Sequence, residues 1–251
     1  MKRIYFVVWI FILFNIIGCD YSKDTPTPTK KQQPIPVSPP KPIIYGTVED
    51  IDGNIYKTIK VGKRSWMAEN LKVTHFNSGE PIPIITDPTS MASFKKPAMI
   101  YPNLNAANEK DTYGALYNGY TLQGGYSSYG WRDLCPTDWY VASVSDWEKL
   151  ITEVGGKEIA GGKLKNAIQE NWNNENIEAS DEIGFNALPA GTLQNDGKFY
   201  LIGYSGLWWT SYSSTAYMDT IRTFYSVSCF DKDLYRENFH DNIGLSVRCV
   251  K

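Results

Sequence analysis

Residues 25–42 read TPTPTKKQQPIPVSPPKP, and no other stretch restricts the fold more. Proline fixes φ and has no N–H to donate, so this segment enters neither a helix interior nor a central strand. Extended polyproline II remains, rising about 3.1 Å per residue and spanning roughly 50 Å in all. The segment reads as a tether that holds a globular domain away from the N-terminal leader. Lys30, Lys31 and Lys41 make it mildly basic. Its competing use, as a proline-rich ligand for a signalling domain, would need a cytoplasmic partner.

The leader has a pattern of its own. Met1-Lys2-Arg3 is basic, Ile4 to Ile17 is apolar apart from Asn15, and then come Gly18 and Cys19. A charged start, an apolar stretch and a small residue describe a secretory signal peptide. The apolar run falls short of the ~20 residues that span a bilayer. Ile16-Ile17-Gly18-Cys19 resembles the end of a bacterial lipoprotein signal, with isoleucines where Leu and Ala or Ser are usual. That resemblance implies removal of residues 1–18 and a lipid on Cys19, with residues 19–42 as the lipidated tether. Several acyl chains hold a protein stably at a membrane, at about 0.8 kcal/mol per buried CH₂. Asp20 and Asp24 around Lys23 resemble the acidic export signal of surface lipoproteins in Bacteroidetes. The expected location is the outer membrane, lipid-anchored and facing the cell surface.

From residue 43 to 251 the composition is that of a globular domain. Seven of the eight tryptophans lie there, Trp9 being the exception. Without Lys2 and Arg3 the 25 basic residues fall to 23, against 27 acidic ones. A mildly acidic chain lacks the basic stripe that nucleic acid requires. Tyr45 to Glu49 and Asn54 to Ile59 flank Asp52-Gly53, a hairpin signal because the tight turn needs positive φ. Ile59 to Val61 and Ser65 to Met67 suggest another pair turning at Gly62-Lys63. Trp147, Leu150, Ile151 and Val154 share one helical face, which predicts a helix over 146–154 with Ser145 and Glu148 as its capping box. A shorter helix is expected over 163–169, and strands return beyond Gly184. Strands, a middle helix and further strands indicate α+β.

Several blocks then fall into the order of one family. Val48 to Ile59, Trp66-Met-Ala-Glu-Asn-Leu71 and Tyr113-Gly-Ala-Leu-Tyr-Asn118 open it. Leu134-Cys-Pro-Thr-Asp-Trp139 and Ser143-Val-Ser-Asp-Trp-Glu-Lys-Leu150 form its middle. Gly161-Gly-Lys-Leu-Lys165, Gly184-Phe-Asn-Ala-Leu-Pro-Ala-Gly191, Trp208-Trp-Thr-Ser211 and Gly244 to Val250 complete it. The chain resembles the Fibrobacter succinogenes major paralogous domain, common in secreted and lipid-anchored proteins of Bacteroidetes. The cysteine–proline–Trp block, the helix after it and the Arg-Cys ending also resemble C-type-lectin-like folds. That resemblance implies short antiparallel strands with one or two helices. Three departures stand out: Asp138 where members often carry Gly, Tyr140-Val-Ala142 where they often carry His-Val-Pro, and Gly119 in a stretch that often holds Trp. No catalytic residue comes with the resemblance.

With Cys19 lipidated, Cys135, Cys229 and Cys249 remain, and an oxidising compartment favours a bridge. Cys135 and Cys249 sit in family blocks, so the resemblance implies their pairing. Cys229 is then free and buried; Cys229 with Cys249 is the alternative. Formylglycine-generating enzymes use two close cysteines, and Cys229 has no near neighbour. Asp50 to Asn54 lacks the glycine position and terminal Glu of a calcium loop, so it reads as a turn. No metal or cofactor is expected, and Glu175, Glu178, Asp181 and Glu182 read as a solvated acidic loop. Trp66, Trp139, Trp147, Trp208 and Trp209 read as core. Tyr212, Tyr217, Tyr225 and Tyr235 stand among Ser, Thr and Asp and are the candidate ligand-binding residues, since tyrosine gives large contact area at low entropy cost. Gly124 to Trp131 is a second candidate loop.

The expectation is a lipid-anchored, non-catalytic module that binds an extracellular glycan or an outer-membrane protein. A structural subunit of an outer-membrane assembly and an unrecognised glycan hydrolase are the alternatives. Replacing Cys19 by Ala is expected to abolish metabolic labelling with a lipid precursor; labelling that persists would refute the anchor.

Overall fold

A computed structural model of the chain describes residues 42–104, 106–124, 126–128, 130–131, 133–211 and 221–251. The leader, Cys19, most of the tether, Tyr212 and Tyr217 lie outside them. β1 (Gly46–Glu49) and β2 (Ile55–Val61) pair antiparallel across the Asp52-Gly53 turn, with Val48 opposite Tyr56. Gly53 takes φ +80°, where glycine is favoured. Asp50 braces the turn: its carboxylate accepts the Asp52 and Asn54 N–H groups and the Tyr56 hydroxyl. The turn at Gly62-Lys63 leads into β3 (Arg64–Met67), so β2 is one continuous strand where the sequence suggested two.

The remaining strands are mostly short. They are β4 (Met99–Ile100), β5 (Leu116–Asn118), β6 (Tyr126–Ser127), β7 (Gly130–Trp131), β8 (Tyr140–Val141), β9 (Thr192–Leu193) and β10 (Phe199–Tyr200). β11 (Ser205–Trp209), β12 (Ile221–Ser228), β13 (Leu234–His240), β14 (Gly244–Leu245) and β15 (Cys249–Val250) complete them. One sheet has the order β1-β2-β3-β15-β8 and a second β10-β9-β14-β5-β4. A third is β11-β12-β13, and β6 pairs β7. Every pairing between named strands is antiparallel. The last residues join these layers. β14 lies inside the second sheet, Ser246 bridges to Trp208 of the third, and β15 lies inside the first.

Among the described residues three α-helices accompany the sheets: α1 (Ala106–Tyr113), α2 (Val144–Glu153) and α3 (Lys157–Leu164). The fold is α+β, with one helix more than the sequence suggested. α2 buries Trp147, Leu150 and Ile151 as the periodicity requires, but it starts earlier than expected. Ser143, not Ser145, is its N-cap, and Asp146 completes the capping box. Glu148 is taken elsewhere, accepting the Tyr225 hydroxyl at 2.6 Å. α3 occupies 157–164 rather than 163–169, because the chain leaves the helix at Lys165 with extended backbone. α1 has no apolar stripe and left no periodic signal.

The five family-block tryptophans are all buried. Trp147 is the centre of an aromatic cluster, 5.2 Å from Trp66, 5.7 Å from Phe185, 5.9 Å from Trp208 and stacked on Tyr225 at 5.0 Å between ring centres. Contacts of this kind add about 0.5–1.5 kcal/mol each beyond the area they bury. Two of the departures from the family pattern, Asp138 and Gly119, have structural reasons. Asp138 sits at φ +65°, a left-handed position that glycine occupies freely and aspartate tolerates. At Gly119 a Cβ would lie 2.0 Å from Asp241 Oδ1, so the buried Arg222–Asp241 ion pair (3.0 Å) leaves no room for a side chain there.

Cys135 and Cys249 form a disulfide, and Cys229 is a buried free thiol. The bridge closes a sequence separation of 114 residues. In the chain-entropy account, losing a loop of that length costs about 4–5 kcal/mol. Urea unfolding of the Cys135→Ser, Cys249→Ser double variant is expected to show a loss of that order, whereas Cys229→Ser is expected to leave the bridge intact by non-reducing mass spectrometry.

Candidate functional site

A cleft of about 430 Å³ is assembled from distant parts of the chain. Tyr45 comes from the segment before β1 and Lys57 from β2. Glu69, Asn70 and Lys72 lie just beyond β3. Lys110 and Asp111 are on α1, Asn166, Asp181 and Asn186 come from loops after α3, and Asn171 ends a short 3₁₀ turn between them. Lys57, Lys72 and Lys110 balance Glu69, Asp111 and Asp181, and four asparagines lie among them. Lys72 is tied to Asp111 at 2.9 Å, and Lys57 lies over the Tyr45 ring, 5.4 Å from its centre.

The floor is held from beneath. Asn70 Oδ1 accepts Arg248 Nε at 2.7 Å and Trp208 Nε1 at 2.8 Å, while its amide donates to the Tyr113 carbonyl. The Arg248 guanidinium also donates to the carbonyls of Met67, Phe185 and Asn186. Burial pushes its pKa down to about 9, so it stays protonated at neutral pH. Asn186, at φ +55°, donates its N–H to Asp181 Oδ1 at 2.8 Å. Burial raises the Asp181 pKa against the lowering by that hydrogen bond and by the Arg248 charge. Asn166 Nδ2 donates to Asn186 Oδ1 at 2.7 Å, and Asn171 Nδ2 to Asn166 Oδ1 at 2.8 Å.

The tyrosines expected to bind ligand are arranged differently. Tyr225 lies on β12 and is 1% exposed. Its ring is packed in the core, which corrects the expectation of an exposed stacking surface. Burial, then the hydrogen bond to Glu148, pushes its hydroxyl pKa up. Tyr235 on β13 is 39% exposed and donates to Asp231 Oδ2 at 2.8 Å. Both border a second cavity, of about 370 Å³, together with Glu148 and Arg236. Tyr212 and Tyr217 lie outside the described residues, and the Gly124–Trp131 loop is described only in part.

Other reactive groups are occupied. Burial raises the Cys229 thiol pKa, the opposite of nucleophile activation. The Lys165 ammonium donates to the carbonyls of Ile177, Ser228 and Asp231, and burial lowers its pKa to about 8. His75 Nδ1 meets Asp52 Oδ1 at 2.6 Å on the surface. In the acidic loop Glu178 pairs with Lys232 and Glu182 with Lys163. Among the described residues no group of three or more His, Cys, Asp or Glu is placed to hold a metal ion. None of their helices is long and apolar enough to cross a membrane.

A family model described as Fibrobacter succinogenes major domain matches residues 59–251, and the chain belongs to that family. No curated protein and no solved structure matches the chain. Family blocks supply much of the cleft: Lys57 from the Val48–Ile59 block, Glu69 and Asn70 from the Trp66–Leu71 block, Gly114 from the Tyr113–Asn118 block, and Asn186 and Leu188 from the Gly184 block. The cleft itself left no local signal, because its residues, from Tyr45 to Leu188, are far apart in sequence.

A carboxyl group whose pKa is higher in the fold than in the unfolded chain destabilises the fold as pH rises through that window. Asp181→Asn keeps an acceptor for the Asn186 N–H. Relative to the parent, it is expected to gain stability as pH rises above the ordinary value of 3.8, measured by urea unfolding at acid and neutral pH.

Proposed function

We propose, from this family membership and the cleft, that the chain is a non-catalytic recognition module of the cell envelope, with a glycan or protein as its ligand. The carrying observation is the polar, charge-balanced cleft whose floor is pinned by Arg248 beneath it. Its side chains are held by the fold before any ligand arrives, which lowers the ordering cost of binding. The leader and Cys19 support an anchor in the outer membrane facing outward. A C-type-lectin-like architecture is supported by the Cys135–Cys249 bridge and by β1, β2, β3 and β15 sharing one sheet.

A hydrolytic reading has one observation in its favour: Glu69 and Asp181 both line the cleft, and burial helps Asp181 keep a proton. A structural role in an outer-membrane assembly would instead appear as a membrane protein recovered in fixed ratio by pull-down. Residues 40–251, which form one unit by internal contacts, serve for the test. On a glycan array they are expected to capture a restricted set of glycans, and the captured glycans are expected to emerge uncleaved. Saturable turnover lost in Asp181→Asn would replace the binding reading with the hydrolytic one.

A further inference from the structure

Three of the cleft's four asparagines, Asn166, Asn171 and Asn186, form a relay whose direction is set by the backbone. The Ile168 N–H donates to Asn166 Oδ1 at 2.8 Å, so that oxygen must face it and Asn166 Nδ2 must face Asn186. Asn186 therefore presents Oδ1 inward and Nδ2 outward. Asn171 gives Nδ2 to Asn166 Oδ1 and keeps its own Oδ1 outward. Both outward atoms, a donor and an acceptor, have no partner among the described residues, and both side chains line the cleft.

We propose that these two relay ends are the recognition element of the cleft and that they read hydroxyl groups of an uncharged saccharide; this rests on the recognition reading above. A hydroxyl both donates and accepts, so neighbouring hydroxyls answer a fixed donor and a fixed acceptor together. Charge argues the same way. Three lysines and three carboxylates line the cleft, with Lys72 already tied to Asp111, so a ligand of either sign meets like charge. Tyr45, 42% exposed, supplies aromatic surface on the wall. A cleft of about 430 Å³ is at the small end of ligand sites, which suits a short saccharide better than a peptide with its side chains.

The full chain in detergent micelles is titrated against immobilised uncharged oligosaccharides, uronic and sulfated ones, and peptides. Uncharged saccharides are expected to be captured, with little change on adding salt. Asn186→Asp keeps the acceptor for Asn166 and tolerates positive φ, but turns the outward donor into an acceptor. Asn171→Ala removes the outward acceptor from a half-buried position. Each is expected to weaken capture roughly ten-fold or more, with the thermal transition retained. Should Asn186→Asp fail to fold, Asn171→Ala alone decides. Unchanged capture by the folded variants overturns the proposal. Capture only of charged saccharides or peptides, lost in Asn171→Ala, overturns the ligand class and leaves the recognition reading standing. Capture of none of the probes overturns both.

Discussion

A single buried guanidinium ties the structure together. Arg248 is 1% exposed, and its N–H groups donate to neutral oxygens, the Asn70 amide and three backbone carbonyls. Removing such a charge from water costs several kcal/mol. The offset comes from those four acceptors and from the faces of Phe185 and Trp208, 4.5 and 5.9 Å from the guanidinium carbon. These partners come from the end of β3, the loop before β9, and β11. The planar fork of arginine satisfies them together, where a lysine ammonium would meet them as a point charge.

Arg248 also explains how the end of the chain organises the rest. Within a few residues the backbone passes from β14 in the second sheet, past Trp208 of the third, to β15 in the first. The Cys135–Cys249 bridge then fastens that passage beside the arginine. That segment supplies a strand to two sheets and a bridge to the third. The cleft is a consequence, since Asn70 and Asn186 are both partners of Arg248 and both line it.

Turn chemistry and burial patterns were readable locally. Asp52-Gly53 and Gly62-Lys63 need positive φ at glycine, and hairpins form there. The apolar face of α2 appears in its spacing, and the tryptophans are core because their large apolar surfaces gain most from burial. Where a residue has two possible partners, local rules chose wrongly. Glu148 fits a capping box, but its carboxylate reaches Tyr225, and the cap falls to Ser143 and Asp146. Tyr225 lies among polar residues in the sequence, yet its place on β12 turns it inward onto Trp147. α1 is mostly polar and gave no periodic cue.

By itself the sequence determined the family, the α+β class, the hairpin turns and, through the family blocks, which cysteine pair to favour. These are encoded by residues adjacent along the chain or by ordered blocks. Only the tertiary structure decided that Tyr225 is core, that Gly119 makes room for Asp241, and that asparagines 166, 171 and 186 form one directed relay beside Asn70. Those outcomes depend on contacts between residues far apart in sequence, and no local pattern carries the direction of an amide until its neighbours are in place.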